Sequence, residues 1–304
     1  MAYNLRPEER VSEGLKRIAR EQLDDAIKSA TDPGMNRDDA VHDVRKRMKK
    51  LRAVLRLARD EVGKDVYKRE NAWFRGIAKQ LAALRETTVR VSIMAKLKSH
   101  FAEQLETNVF DTLIANLQGH RDKAHKENLE QRNALEEVVE ELHQARGRVN
   151  EWPLKREGFS SIAKGVRRVY RRGCRGLKVV VDAPTDANFH EWRKRVKYLW
   201  YHVRILEASW PPVMAALSAE LDALGDVLGE DHDLAELRAV TLKKPQIADD
   251  PSEHEVLLGL VTRRQNELRQ YAFPLGRRIY AEKPEAFAAR LERYWNVAQS
   301  SKSG

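Results

Sequence analysis

The apolar positions of this chain recur every three to four residues and hardly ever every second one, a spacing that predicts helices throughout. Leu15, Ile18, Ala19, Leu23, Ala26 and Ile27 mark one face of a helix over 7–30, entered through Pro7 and two glutamates. TDPGMNR (31–37) reads as a turn, with Asn36 or Asp38 placed to cap the next helix. In that helix Val44, Met48, Leu51, Leu55 and Ala58 form an apolar stripe as wide as a core-facing element needs. Helical spacing resumes over 64–86 and 88–118, where Val91, Met94, Ala95, Leu97, Leu105 and Leu113 share a side. A polar, helix-prone stretch fills 120–146. Further helices are expected over 160–181, from Phe189 to the SWPP stop at 209–212, and onward to Leu228. Beyond a GEDHD loop at 229–233 the pattern returns, ending with helices at 253–281 and 285–298. Asp186 or Asn188 is placed to cap the helix that opens near Phe189. The predicted fold class is all-α.

The polar positions add a second pattern. VHDVRKRMKKLRAVLRLAR (41–59) holds eight Lys or Arg against one acid, Asp43. His42, Arg45, Lys49, Arg52 and Arg56 line up along four turns beside the apolar stripe, with Lys46 next to them. A solvated face usually mixes both signs, since neighbouring opposite charges pair and like charges repel. This face hardly mixes them. The segment FHEWRKRVKYLWYHVRIL (189–206) repeats it 148 residues on. His190, Arg193, Lys194, Lys197 and Arg204 fall in register with His42, Arg45, Lys46, Lys49 and Arg56, and Trp200 replaces Arg52. Trp192, Val196, Leu199, Val203 and Leu206 repeat the apolar stripe. Two such segments in one phase argue for an internal duplication, with Gly147–Gly158 as the boundary between a first half, 1–150, and a second, 151–304.

Charge narrows the picture further. The formal net charge is +10, yet the segments 41–59, 160–178 and 189–206 carry +18 between them, leaving a mildly acidic remainder. Concentrated positive charge of this kind is the footprint of a polyanion binder. The third segment contributes Arg168, Arg171, Arg172 and Arg175 at helical spacing with no acid among them, and the first helix adds Lys16, Arg17 and Arg20. Arg47, Lys50 and Arg195 point elsewhere on their helices and are expected to be solvated. No apolar run spans a bilayer, MAYNLRPEER has no signal character, and the lone Cys174 suits a reducing compartment, so a cytoplasmic location without membrane partners is expected. The cations flanking Cys174 would favour a thiolate, set against a plain space-filling role.

The pair VHDVRKRMKKLRAVLRL and FHEWRKRVKYLWYHVRIL resembles the helix that occurs once in each half of the CHAD domain, the conserved-histidine α-helical domain. LAALRETTVRVSIM (81–94) is similar to the family's Leu-Gly-x-x-Arg-Asp-x-x-Val motif, with Ala82 for glycine and Glu86 for aspartate, and LGDVLGEDHDLAEL (224–237) is similar to its second-half counterpart. The resemblance implies two helical bundles of about four helices each around an approximate two-fold axis, a basic cavity or groove between them, and inorganic polyphosphate as the ligand. The leading expectation is a non-enzymatic binding module, associated with polyphosphate granules or polyphosphate-metabolising enzymes. A polyphosphate chain offers charge and no base or sugar to read, which suits rows of Arg forks and Lys point charges. The two histidines, taken to lie in the first turn of their helices, would add donors near the helix dipole.

Two other readings remain. The same charge would serve nucleic acid, with Trp73, Trp192, Trp200, Tyr198 and Tyr201 as stacking candidates, although Trp192 falls on the apolar stripe. Glu230, Asp231, His232 and Asp233 could ligate a divalent metal in a phosphohydrolase, but no further ligands assemble at helical spacing. No cofactor-binding motif is present in the sequence.

Overall fold

Eleven α-helices carry the fold in a computed structural model that describes residues 3–82, 86–103, 130–243 and 251–301. They are α1 (Val11–Thr31), α2 (Arg37–Leu57), α3 (Arg59–Val62), α4 (Lys64–Gln80), α5 (Glu86–His100), α6 (Glu130–Val149), α7 (Ser160–Asp182), α8 (Asp186–Ile205), α9 (Pro211–Lys243), α10 (Pro251–Ile279) and α11 (Pro284–Ser300). No strand occurs among the described residues. Leu105 and Leu113 of the expected 88–118 helix lie outside them.

Packing sorts the helices into two sets. In the first, α1 lies against α2 and α6, and α4 against α2 and α6. In the second, α7 lies against α8 and α10, α9 against α8 and α10, and α11 covers α7. The sets meet where α2 packs on α7 and α8 and α3 on α7, while α5 packs on α9 and α10 of the second set. One apolar cluster runs from Tyr3 to Trp295 and takes the α2 stripe (Val44, Met48, Leu51, Leu55) together with the α8 stripe (Trp192, Val196, Leu199, Val203). A smaller cluster joins Met94 and Phe101 to Leu234, Leu237 and Val261. Trp152, in the stretch taken as a boundary, is buried in the larger cluster. Gly165 allows the closest approach of the two sets: a Cβ there would lie 2.0 Å from the Leu57 carbonyl oxygen.

The helix ends explain several departures from the sequence reading. Residues 7–10 form a turn, and α1 begins only at Val11, because Arg17 reaches back to Glu9 and to the Asn4 carbonyl and holds the leading segment across the helix. Asn36 caps α2 as expected, accepting from the Asp38 N–H. Thr185, and not Asp186 or Asn188, caps α8 by accepting from the Asn188 N–H. Both caps place His42 and His190 in the second helical turn, beyond the free N–H groups of the first. Gly229–Asp233 is no loop: it lies in the middle of the continuous helix α9.

At the α2–α8 crossing His202 is fully buried, with Nε2 3.0 Å from the Ala53 carbonyl oxygen. A carbonyl only accepts, so Nε2 carries the proton and the ring is neutral. Burial, over the opposing effect of that bond, lowers the His202 pKa to about 4. Between that value and the ordinary 6.5, the unfolded chain holds a proton that the folded chain lacks, so stability falls as pH falls. Urea unfolding of wild type and His202→Gln at pH 7.5, 6.5 and 5.5 tests this. The variant should lose up to about 1.4 kcal/mol per pH unit of the wild-type slope. Equal slopes would contradict it.

Candidate functional site

On α2, His42, Lys46 and Lys49 are exposed while Arg45, Arg52 and Arg56 are half-buried. The row ends against the other half of the chain. The Arg56 guanidinium lies 3.9 Å from the centre of the Tyr198 ring on α8 and donates to the Arg52 carbonyl oxygen at 2.8 Å. Burial lowers the Arg56 pKa, opposed by Tyr198. On α8, Arg204 ends the second row 5.9 Å from the Tyr3 ring, over which the Lys50 amine of α2 also sits at 4.9 Å. Arg56 thus meets residue 198, and Arg204 adjoins residue 50. Residues 56 and 204, like 50 and 198, are 148 positions apart in the sequence.

Lys50 is not solvated as the helical phase suggested. It is buried, and burial together with Arg47 and Arg204 lowers its pKa to about 8. Arg47 is likewise engaged, with Asp25 at 2.7 Å and Asp43 at 3.0 Å. Arg195 is half-buried and holds Glu191 at 2.9 Å.

The second row lies along α9. The His190 ring packs against His232 with ring centres 3.8 Å apart and the planes tilted by 35°. Burial, His232, Lys194 and Arg193 lower the His190 pKa to about 4, and burial followed by Arg193 lowers that of His232. Arg193 packs over Gly229, where a Cβ would come 3.4 Å from Nε. Lys197 packs over Gly225, where a Cβ would come 2.7 Å from Cε. These two glycines, one turn apart, make room for the two basic side chains, a role the sequence reading missed. Their signal was a pair of glycines four apart within a helical run, hidden because the second was assigned to a loop. Lys197 is held by Asp222 at 3.0 Å and Asp226 at 3.2 Å, and Lys194 by Glu191. Arg193 has no ion-pair partner among the described residues, and its buried Nε finds no hydrogen-bond acceptor. Trp200 does more than interrupt the row: its ring lies between Lys197 at 4.6 Å and Arg204 at 4.9 Å.

The other candidates divide. Arg172 and Arg175 are exposed on α7 and line a shallow cleft of about 200 Å³ with Asn188, Glu191, Trp192 and Arg195. Burial, then Arg195, lowers the Arg172 pKa, with Arg59 and Arg168 also acting on it. Arg168 and Arg171 are engaged across the fold. Acids from other elements meet them, Asp60 and Glu285 respectively. Arg17 is clamped between Glu9 and Glu21, Arg20 donates to Asn150 at 2.8 Å and Lys16 to the Asn150 carbonyl at 3.2 Å, so these three tie α1 to its neighbours.

Of the stacking candidates, Trp192 and Tyr201 are buried, and Trp73 donates to the Glu141 carbonyl oxygen at 3.2 Å. The carboxylates of the candidate metal cluster are engaged: Glu230 by Arg264 and Asp231 by Arg269, both at 2.6 Å. No group of three metal-ligating side chains occurs among the described residues. Burial raises the Cys174 pKa, so the flanking cations do not make it a thiolate. No helix among the described residues is long and apolar enough to cross a membrane.

Two comparisons place this architecture. The CHAD domain model matches residues 17–241, more than half of the chain. No curated protein matches. Among solved structures, PptA from Streptomyces chartreusis is similar in fold, with a TM-score of 0.58 and 17% identity over 88% of this chain and 99% of that one. With two sets of helices, a His-led basic helix in each and a family model spanning both, the chain belongs to the CHAD domain family.

Proposed function

We propose that this protein is a non-enzymatic binding module that holds inorganic polyphosphate in a basic groove formed by the α2 and α8 rows, the two rows gripping one chain. The observation that supports the reading is that Arg56 lies on the Tyr198 ring while Arg204 and Lys50 both lie by the Tyr3 ring, so the ends of both rows come near one helix crossing. From His42 to Arg56 a helix rises about 21 Å, so the rungs follow an extended anion and not a compact one. Arg193, with no acid among the described residues, offers a bidentate fork to phosphate oxygens. Arg45, Lys46 and Lys49 serve the same purpose on α2, Arg52 and Arg56 continue the row, and Arg172 and Arg175 extend the positive surface on α7. In the cell such a module would sit in the cytoplasm on polyphosphate granules or beside enzymes that make or degrade the polymer.

Polyanion affinity of this type depends steeply on salt through counterion release. Titration with long-chain polyphosphate, orthophosphate and single-stranded DNA at two salt concentrations tests the reading. Polyphosphate should bind well below the concentration at which DNA does, at equal phosphate, and orthophosphate should not compete. DNA displacing polyphosphate at equal charge would favour a nucleic-acid binder instead.

A further inference from the structure

His232 lies outside the two basic rows, yet it belongs to the same surface. Its ring packs against His190 at 3.8 Å, and Arg193 lies across Gly229 one turn before it. Two groups of this cluster lack a partner: Arg193 Nε, a donor in every state, and His190 Nδ1, a donor once the ring is protonated, are buried without a hydrogen bond, which is costly for groups of this polarity. The second ring, half-buried and thus reachable, supplies another donor once protonated.

The charges that face the pair come from each element around it. From α8 come Arg193, Lys194, Glu191 and Asp186, and from α9 itself Asp233. Most acids here are already claimed: Asp186 by Arg238 and Arg269, Glu191 by Lys194 and Arg195, Asp231 by Arg269 and Glu230 by Arg264 from α10. On α5, His100 is paired with Glu267 of α10. The net field on the two rings is therefore positive, and in the free protein at neutral pH both rings are neutral. The sequence shows the contrast with the other half. Leu228-Gly229-Glu230-Asp231-His232-Asp233 carries histidine where Leu81-Ala82-Ala83-Leu84-Arg85-Glu86 carries arginine. One half has a permanent charge at this sequence position and the other a titratable one.

We propose that His232 contacts the bound polyanion together with His190, and that the pair takes up a proton as phosphate arrives, so that affinity rises as pH falls. The inference rests on the polyphosphate reading above. Its physical basis is that an anion beside the rings favours the protonated form that the surrounding cations disfavour. Where the free pair is neutral and the bound pair is protonated, one proton taken up strengthens binding up to about tenfold per pH unit.

The experiment is titration of wild type, His232→Asn and His232→Arg with long-chain polyphosphate at pH 8 and pH 6, at constant ionic strength. Wild type should bind about tenfold tighter at pH 6. His232→Asn should lower that ratio severalfold, the remainder coming from Lys50, whose pKa of about 8 is untouched by the change, and His232→Arg should bind at pH 8 more tightly than wild type. Polyphosphate binding with no pH ratio, or with the same ratio in His232→Asn, would overturn the inference and leave the polyphosphate reading standing. No polyphosphate binding at either pH would remove both.

Discussion

Replacing Arg45, Lys49 and Arg193 together with glutamine should weaken binding of long-chain polyphosphate by about 100- to 1000-fold while leaving the helical content and unfolding midpoint close to wild type. Each of these side chains is half-buried or exposed on a helix face, so the substitution removes charge without opening a cavity in the core. A charge-assisted hydrogen bond contributes on the order of 1.5 kcal/mol, and three of them correspond to roughly 4 kcal/mol, about three decades in Kd. The salt dependence should shift too. With about 0.7 counterions released per neutralised phosphate, as for single strands, the log–log slope should shrink by about 2. Lys197→Gln should do less, because Asp222 and Asp226 already neutralise that amine and an incoming phosphate must displace them. Fluorescence or calorimetric titration at two salt concentrations checks both numbers. A triple variant with wild-type affinity would remove the basic rows from the site.

Arg269→Ala should destabilise the fold by about 3–5 kcal/mol, the largest effect expected of any single polar substitution here. Asp231 is almost wholly buried, and Arg269 Nε reaches its Oδ1 at 2.6 Å while the same guanidinium bonds Asp186. Burial pushes the Asp231 pKa up, with Arg269 opposing it, so removal of the arginine strands a buried carboxyl group. Gln265 touches the same oxygen at 3.4 Å and cannot replace the charge. The double variant Asp231→Asn/Arg269→Ala should recover part of the loss, because a neutral amide is cheaper to bury than an unpaired carboxylate. Urea unfolding of the two variants and wild type measures this. A single variant within about 1 kcal/mol of wild type would show that the cluster is dispensable. The same geometry explains why acids that resemble a metal site in sequence serve here to fasten α9 to α10 and to the start of α8.

The periodic apolar stripes made the helices and most of the core legible from sequence. Val44, Met48, Leu51 and Leu55 on α2, and Trp192, Val196, Leu199 and Val203 on α8, are buried as their spacing implies. Where a residue's fate depends on another element, the sequence was mute. Lys50 shares the helix phase of a solvated position but meets Tyr3, eight residues ahead of α1, so burial overrides phase. Arg168 and Arg171 have no acid nearby in sequence, yet Asp60 lies 108 positions back and Glu285 lies 114 ahead. Arg17 looked like one more cation beside a basic surface, whereas the fold closes the N-terminal segment around it. Gly229 read as a loop because glycine and three acids cluster there. In the structure that glycine makes room for Arg193, and two of the acids, Glu230 and Asp231, find arginines on α10. The pairing of His190 with His232, 42 positions apart, carried no local signal at all.

The central claim is that two rows of cations act on one polyphosphate chain. Calorimetric titration of long-chain polyphosphate into wild type, an Arg45→Gln/Lys49→Gln variant and an Arg193→Gln variant tests it most directly, because stoichiometry and affinity are read together. A shared site predicts one class of binding in wild type, with each variant losing affinity and keeping the stoichiometry. Two classes of sites, with each variant abolishing one and leaving the affinity of the other untouched, would contradict it.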